Sequence, residues 1–244
     1  MELKEWLNSI PVITRHWFVL SFIIPLLGRF GILSAQWMYL DSELVLYKFH
    51  FWRPLSSLIY YPVVPQTGFH WLMMLYFLYN YSKGLEEGVY SGRPADYFYM
   101  LLINWVSCVL IGMALSIPFL LEPMVLSVLY VWCRLNSETI VSFWFGMKFK
   151  ALYLPFVLCA FNMVIRGGGI NEGLGILIGH IYYFLEFQYP ELNGTRLIQT
   201  PEFLYRFLPN QVGGVQGVAG RISGQARPQV RGHQWGQGAQ LGGN

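Results

Sequence analysis

Apolar residues along this chain cluster in six runs that are separated by glycine, proline, asparagine and charged residues. In lipid, a single segment satisfies all of its backbone hydrogen-bonding groups only as a helix, and the lengths of these runs suit helices. The pattern therefore predicts an all-α polytopic membrane protein, a bundle of six transmembrane helices. The predicted spans lie near residues 17–33, 69–82, 95–117, 119–133, 151–165 and 173–187.

Composition supports lipid rather than water as the solvent. Apolar residues make up 55% of the chain and aromatic residues 18%, while only 12% are charged. Soluble domains carry roughly 25% charged residues, so an ordinary soluble domain is excluded. The net charge of +3 gives no indication of a nucleic-acid partner.

The three cysteines do not form a recognisable site. Cys108, Cys133 and Cys159 all lie inside apolar runs, and their spacing matches neither a zinc site nor a secreted disulfide framework. We interpret them as packing residues and predict no metal or cofactor.

Two stretches differ from the spans. Residues 34–68 mix aromatic and charged side chains, which predicts short amphipathic helices lying in the membrane interface between the first two spans. Residues 208–244 contain ten glycines and few large apolar residues, so they are expected to form a disordered tail. The chain is thereby divided into a membrane domain, 1–207, and a tail, 208–244.

The basic residues predict an orientation, because Lys and Arg close to helix ends are retained in the cytosol. With a cytosolic start, nine of them face the cytosol and four face the opposite side, and both termini are cytosolic. The nine are Lys4, Arg15, Lys83, Arg93, Arg134, Lys148, Lys150, Arg196 and Arg206; the four are Arg29, Lys48, Arg53 and Arg166.

Several predicted spans are short for a bilayer. Residues 69–82 and 123–133 would give only about 15–20 Å of helix, against a hydrocarbon core of about 30 Å. Either the protein thins the bilayer around itself, or the true helices extend beyond these bounds. The sequence leaves both readings open.

Short motifs connect the chain to a known family. Trp52-Arg53 in the first loop and Gly175-x-x-x-Gly179 in the last span are similar to hallmarks of the rhomboid superfamily. Further stretches across nearly the whole chain resemble derlins, the rhomboid-like pseudoproteases: RPADY (93–97), SVLYVW (127–132), IVSFWFG (140–146) and PEFLYR (201–206).

The resemblance to derlins implies a location, a role and a set of partners. Derlins are multi-pass proteins of the endoplasmic reticulum membrane that help misfolded luminal or membrane proteins reach the cytosol for degradation. The implied partners are these client proteins, a membrane complex containing a ubiquitin ligase, the lipid bilayer, and further copies of the chain. Composition and periodicity carry none of these expectations.

Protease chemistry of the wider superfamily is not expected here. Active rhomboids place a serine in a Gly-x-Ser-Gly turn near the start of the fourth span, but no glycine flanks Ser127. Their catalytic histidine stands three residues before the first glycine of the last-span pair, where this chain has Glu172. His180 lies elsewhere on that helix. We therefore predict no catalytic residues and no hydrolysis.

Other polar residues near the spans have simpler readings. His70 stands where active rhomboids carry an oxyanion-assisting histidine, but the partner position holds Met74, so it is interpreted as a relic. Glu122 is expected in a loop outside the membrane, and Asn104 within the bundle. Trp52 and Arg53 are expected to anchor the loop in the interface, to engage clients, or both.

The last-span glycines and the tail carry the remaining expectations. Gly175 and Gly179 fit close packing of helices better than substrate contact. The tail segment resembles the short box by which derlins recruit the valosin-containing AAA ATPase; an extended peptide could pair through its glycines while its two large side chains fill apolar pockets. A chance match in a Gly/Gln-rich tail is the alternative. The box consists of Trp235, Gly236, Gln237, Gly238 and Leu241.

Three functions are consistent with these observations. The first is a non-enzymatic adaptor that assists export of misfolded proteins from the endoplasmic reticulum. An active intramembrane serine protease is the second, and a structural scaffold that assembles ligases without touching clients is the third.

Overall fold

The computed structural model describes residues 3–143 and 146–210, which are mostly helical. The helices are α1 (Leu3–Asn8), α2 (Val12–Arg29), α3 (Ser42–Leu46), α4 (Arg53–Ile59), α5 (Gly68–Phe77), α6 (Pro94–Ala114), α7 (Leu121–Leu135), α8 (Leu154–Arg166), α9 (Ile170–Tyr183), α10 (Tyr189–Asn193) and α11 (Glu202–Phe207). Short 3-10 turns lie at Ala35–Trp37 and Ala151–Tyr153.

One hairpin departs from the all-helical prediction. Strands β1 (Ile140–Ser142) and β2 (Lys148–Lys150) pair antiparallel, with Ile140 opposite Lys150. The segment between α7 and α8 is polar at both ends and only three residues of each strand pair, so the hairpin does not change the helical class of the protein.

Two helices, α2 and α6, are long and apolar enough to cross a membrane by themselves. The start of α6 is set by Pro94 in its first turn, where a missing N–H costs nothing. By contrast, α7 has 15 residues and α8 has 13. At 1.5 Å per residue they are about 20 Å long, shorter than a typical hydrocarbon core of about 30 Å.

Two helices are longer than the apolar runs that predict them. After α5 the chain stays helical through π-type turns at Leu78–Ser82 and Leu85–Val89, and after α9 through Phe184–Gln188. The predicted run 69–82 is therefore only the apolar part of a helix that continues to Val89. Its polar extension includes Glu86, which has a structural role.

Glu86 holds the start of α2. Its carboxylate accepts hydrogen bonds from the backbone N–H groups of Ile13 and Thr14, at 3.1 and 2.8 Å, and from the Thr14 hydroxyl at 2.7 Å. The first N–H groups of a helix have no partner inside the helix and carry partial positive charge, so a buried carboxylate stabilises them. This cap fixes α2 against the end of the α5 extension.

The core is built around α7, which packs most extensively against α9 and also contacts α5, α6 and α8. Met124, Leu126 and Leu129 on α7 are fully buried. The central helix of the bundle is thus enclosed by protein, while its neighbours expose large apolar side chains.

The C-terminal helix is tied to the start of α6. Asp96 pairs with Arg93 at 3.2 Å and accepts hydrogen bonds from the hydroxyls of Thr200 and Tyr205, both at 2.7 Å. Burial and the hydrogen bond to Asp96 raise the pKa of Tyr205, so its phenol remains a donor at neutral pH. The described chain ends shortly after this attachment.

Candidate functional site

The serine and histidine considered for catalysis point to different partners. Ser127 is fully buried, and its hydroxyl donates to the carbonyl of Met124 at 2.8 Å. Nδ1 of His180 lies 2.9 Å from the hydroxyl of Tyr130. A catalytic dyad requires the nucleophile and base to share a hydrogen bond. Among the described residues, neither side chain is bonded to the other.

A buried polar cluster lies on one side of the bundle, where three helices begin and a fourth ends. His70 is in the first turn of α5, Glu122 in the first turn of α7, Arg166 at the end of α8 and Glu172 in the first turn of α9. His70, Glu122 and Glu172 are each at most 5% exposed. Such burial is costly for polar groups unless they are paired, so their bonding decides whether the cluster is stable.

Glu122 is the centre of the cluster. Its carboxylate accepts hydrogen bonds from the Arg166 guanidinium at 3.1 Å and the Asn171 amide at 3.0 Å. Oε1 also lies 3.2 Å from Nε2 of His70. The side chain of Arg166 is about a third exposed, whereas that of Glu122 is buried. The guanidinium thus compensates a buried carboxylate while it reaches towards the outside of the bundle.

The other carboxylate, Glu172, is bound from within the bundle. It accepts a hydrogen bond from the Asn162 amide at 2.5 Å. Asn162 is itself 2% exposed and lies one turn before Arg166 on α8. Helices α8 and α9 are therefore joined by a hydrogen bond between two buried side chains.

Tyr61 orients the imidazole of the cluster. Its hydroxyl lies 2.8 Å from Nδ1 of His70. Burial and the negative charge of Glu122 raise the pKa of Tyr61 to about 12, so the phenol keeps its proton at neutral pH. Nε2 of the ring faces the Glu122 carboxylate at 3.2 Å and the Asn162 amide at 3.3 Å.

The cluster contains a set of atoms that could bind a metal ion. One ligand atom each from His70, Glu122 and Glu172 lie within 4.8 Å of one another, a donor set that Zn²⁺ accepts. The Arg166 guanidinium, however, is 3.1 Å from Glu122 and from the His70 ring. The chain therefore supplies its own cation at this position, and we assign the cluster no metal.

Two cavities adjoin the cluster. One, of about 160 Å³, is lined by Arg166, Asn171 and Glu172, and the other, of about 110 Å³, by Tyr61, Arg166 and Asn171. Glu122 lines both. The polar groups thus face small open spaces at the end of the bundle rather than the centre of the core.

Sequence reasoning did not find this cluster. It placed Glu122 in a loop and interpreted His70 as a relic, but the structure buries both and joins them. A signal was present: a polar residue lies within three positions of the start of the second, fourth and sixth apolar runs, and another directly follows the end of the fifth. In an alternating bundle these positions are all on one side of the membrane.

The Trp52-Arg53 pair divides into two roles. Arg53 is 5% exposed, donates to the carbonyl of Tyr39 at 2.9 Å and to His50 at 3.2 Å, and lies over the Tyr39 ring. Trp52 stacks on His50 and is 47% exposed. Arg53 therefore holds the first loop together from inside, and only Trp52 presents a surface to the surroundings.

Gly175 and Gly179 lie where α9 crosses α7. A methyl group at Gly175 would come within 2.5 Å of Leu126 Cβ, and one at Gly179 within 2.7 Å of the carbonyl oxygen of Ser127. Side-chain carbon atoms do not approach other atoms so closely. The absence of side chains at these two positions lets the helices approach, which brings Glu172 to Glu122.

An apolar groove runs along α5, the helix that also carries His70. Its volume is about 290 Å³, and it is lined by Leu72, Tyr76 and Phe77 together with Phe143 and Leu154. Leu72 and Tyr76 are more than half exposed. We call this the α5 groove. A membrane protein that leaves aromatic and aliphatic side chains open beside polar groups can contact both apolar and polar parts of another chain.

The predicted ATPase-binding box cannot be compared with this structure. Trp235, Gly236, Gln237, Gly238 and Leu241 lie outside the described residues. The part of the predicted tail that is described, residues 208–210, follows α11 directly.

Comparison with known proteins identifies the family. The model of the Der1-like family matches residues 10–202. Derlin-1 of Caenorhabditis elegans is 62% identical over 246 residues, which cover the whole of both chains. Derlin-1 of Homo sapiens is 49% identical and covers 99% of this chain and 98% of its own, and Derlin-1 of Drosophila melanogaster is 39% identical over the full length of both. The chain is therefore a membrane protein that belongs to the derlin family, as its motifs predict.

Proposed function

We propose that this protein is a non-enzymatic component of endoplasmic-reticulum-associated degradation. It engages misfolded luminal or membrane proteins in the endoplasmic reticulum membrane and assists their passage to the cytosol. Both termini face the cytosol in this proposal, which follows the distribution of Lys and Arg. The observation that supports the proposal is the α5 groove, an exposed apolar surface along the helix whose first turn carries His70 of the buried polar cluster.

The α5 groove supports contact with clients because of its composition. A misfolded segment presents apolar side chains together with backbone groups that lack partners. Leu72 and Tyr76 offer apolar surface in the groove, while Tyr61, Asn171 and Arg166 offer hydrogen-bonding groups in a separate polar cavity. The short helices α7 and α8 support the same function, since a thinned bilayer lowers the distance that a chain must cross.

Site-specific photocrosslinking in native membranes tests this proposal. A photoreactive residue at Leu72 or Tyr76 should crosslink to a misfolded luminal client, whereas one at Leu110 should not. Leu110 is the matched control, because it is 64% exposed on α6 and lies outside the α5 groove. Equal crosslinking from all three positions would remove the groove from the proposal.

The tail supplies the pulling step in this proposal. Trp235 and Leu241 dock on the valosin-containing AAA ATPase, while the membrane domain joins a ubiquitin ligase complex and further copies of the chain. A synthetic peptide of residues 231–244 should bind the ATPase without the membrane domain, because a short linear box needs no other contact. Failure of the peptide to bind would show that docking uses another part of the protein.

Intramembrane proteolysis is the rival from another class. Ser127 and His180 have separate hydrogen-bond partners, so replacing either by alanine should leave client degradation unchanged. A cleavage product that disappears with Ser127→Ala would establish the protease instead. A scaffold without client contact would give no crosslinks from Leu72 or Tyr76.

A further inference from the structure

A second apolar groove lies on another side of the protein, between α2 and α6. Its volume is about 400 Å³, and α4 contributes Leu55 and Leu58 to its wall. Leu20 on α2 and Leu55 are 42% and 54% exposed, so the groove is open to the surroundings. It shares no lining residue with the α5 groove.

The side chains that line the α2–α6 groove favour a hydrocarbon ligand. Its walls are aliphatic and aromatic, and the indole N–H of Trp105 already donates to the carbonyl of Pro54 at 2.9 Å. The two flanking helices are those that can cross a membrane by length and composition alone. The open side of the groove therefore faces acyl chains, which match its walls.

Size decides between an acyl chain and a helix of another protein. A helix is about 10–12 Å across, so a groove of 400 Å³ cannot take in a whole helix and would accept only a few side chains from one of its faces. A methylene group is similar in size to a water molecule, whose share of the liquid is about 30 Å³, so the same volume holds a chain of roughly a dozen carbons. The groove suits a single acyl chain.

Charge at one end of the groove selects the headgroup. This end is formed by the start of α2 and by Leu208, and His16 lines it. Arg15 directly precedes His16 in the sequence, and Arg206 stands two residues before Leu208. Arg15 bonds to the neutral amide of Asn8. Neither arginine is paired with a carboxylate within residues 3–143 and 146–210. The carboxylate of Asp96 on α6 does not neutralise these two arginines, because it is already bonded to Arg93, Thr200 and Tyr205.

The composition of the sequence after Leu208 does not suit the groove. The sequence that follows Leu208 is rich in glycine and glutamine and contains few large apolar side chains. Such a segment would bury backbone polar groups in the groove without partners, which is unfavourable. A lipid has no such groups along its acyl chain.

We propose that the α2–α6 groove binds one acyl chain of an anionic glycerophospholipid, whose phosphate lies against Arg15 and Arg206. The acyl chain gains little by leaving other lipid, so the specificity comes from filling the gap and from the charged headgroup. The bound lipid then acts as a resident wedge that holds α2, α4 and α6 at their spacing. This proposal does not depend on the export function proposed above.

Photolabelling of the full-length protein in vesicles tests the proposal. Phosphatidylserine with a photoreactive group in one acyl chain is diluted into phosphatidylcholine vesicles that contain the protein, and labelled peptides are located by mass spectrometry. Labelling should concentrate on residues of the groove. Leu20→Trp fills the groove and should reduce this labelling at least tenfold. Ile23→Trp should leave it unchanged, because Ile23 is similarly exposed on α2 but does not line the groove.

The headgroup is tested separately. Replacing Arg15 and Arg206 by glutamine should abolish the preference for labelled phosphatidylserine over labelled phosphatidylcholine. Leu20→Met, which keeps the volume of the side chain, should label like the unchanged protein and controls for folding, together with the thermal melting of each variant.

Three results would overturn the proposal. The first is equal labelling of the Leu20→Trp and unchanged proteins when both melt alike. The second is equal labelling by the two lipids in the unchanged protein. The third is a photoreactive residue at position 20 that crosslinks to a second polypeptide, which would show that a protein occupies the groove.

Discussion

Replacing Gly175 by alanine tests the close approach of α7 and α9. The added methyl group would lie 2.5 Å from Leu126 Cβ and 2.7 Å from the carbonyl oxygen of Pro123. One of these neighbours is backbone within a helix, so it cannot rotate away. The helices must separate, which loosens the contact that brings Glu172 to Glu122.

The size of the effect follows from two opposing terms. Alanine favours a helix over glycine by about 1 kcal/mol, while overpacking a well-packed core typically costs about 1–3 kcal/mol. Gly173 on the same helix is the control, because a methyl group there meets nothing within 4 Å. Gly173→Ala gains the helical term alone, so the difference between the two variants isolates the steric term.

Thermal melting of the purified proteins in one detergent measures this difference. For a chain of 150–250 residues, 1 kcal/mol shifts Tm by about 2–4 °C, so Gly175→Ala should melt about 2–12 °C below Gly173→Ala. If the two variants melt together, or Gly175→Ala melts higher, α7 and α9 are not as close as the structure places them.

Three further outcomes are expected. Glu86→Gln should lower Tm by about 2–4 °C, because the cap of α2 loses its charge at a cost of about 1 kcal/mol. Arg166→Leu should melt below the double variant Arg166→Leu with Glu122→Leu, because the single change leaves a buried carboxylate without its cation. Full-length protein with Trp235→Ala and Leu241→Ala should bind the AAA ATPase at least tenfold more weakly by calorimetry, because each side chain contributes roughly 1.5–3 kcal/mol when buried.

The first of these predictions has a control variant, and each of the other two has a result that would contradict it. Glu87→Gln should not change Tm, because Glu87 is exposed and its one ion pair within residues 3–143 and 146–210 is the exposed contact with Lys83. Equal melting of the Arg166 single and double variants would mean that Glu122 is compensated without the guanidinium. Undiminished copurification of the ATPase with the tail variant would place its docking site elsewhere.

The sequence predicts the helical class because an apolar run in lipid satisfies all of its backbone hydrogen-bonding groups only as a helix. It does not predict where helices end. The extension from Leu78 to Val89 carries Lys83, Glu86 and Glu87, which read as a loop, yet Glu86 is buried against the start of α2. A cap of one helix by a residue more than 70 positions later is a tertiary contact, and no local pattern contains it.

The sequence predicts only part of the polar cluster. Alternation of the spans places His70, Glu122, Arg166 and Glu172 at the same side of the bundle. It cannot bring them together, because that depends on the crossing of α7 and α9 at Gly175. For Arg53, the sequence predicts an anchor of the first loop in the interface, and the structure adds that a carbonyl and an aromatic ring inside the loop bind it.

The two cavities beside the polar cluster have a consequence for the passage of charged residues. At about 30 Å³ per molecule, their volumes of about 160 and 110 Å³ have room for roughly five and four waters. Waters bonded to Glu122, Arg166 and Asn171 would extend a high-dielectric region inwards from the membrane surface. The free-energy cost of moving a charge into a low-dielectric medium falls as the local dielectric constant rises. Under the proposed export function, a charged side chain of a client would therefore cross a shorter low-dielectric distance at this end of the protein than in the surrounding lipid.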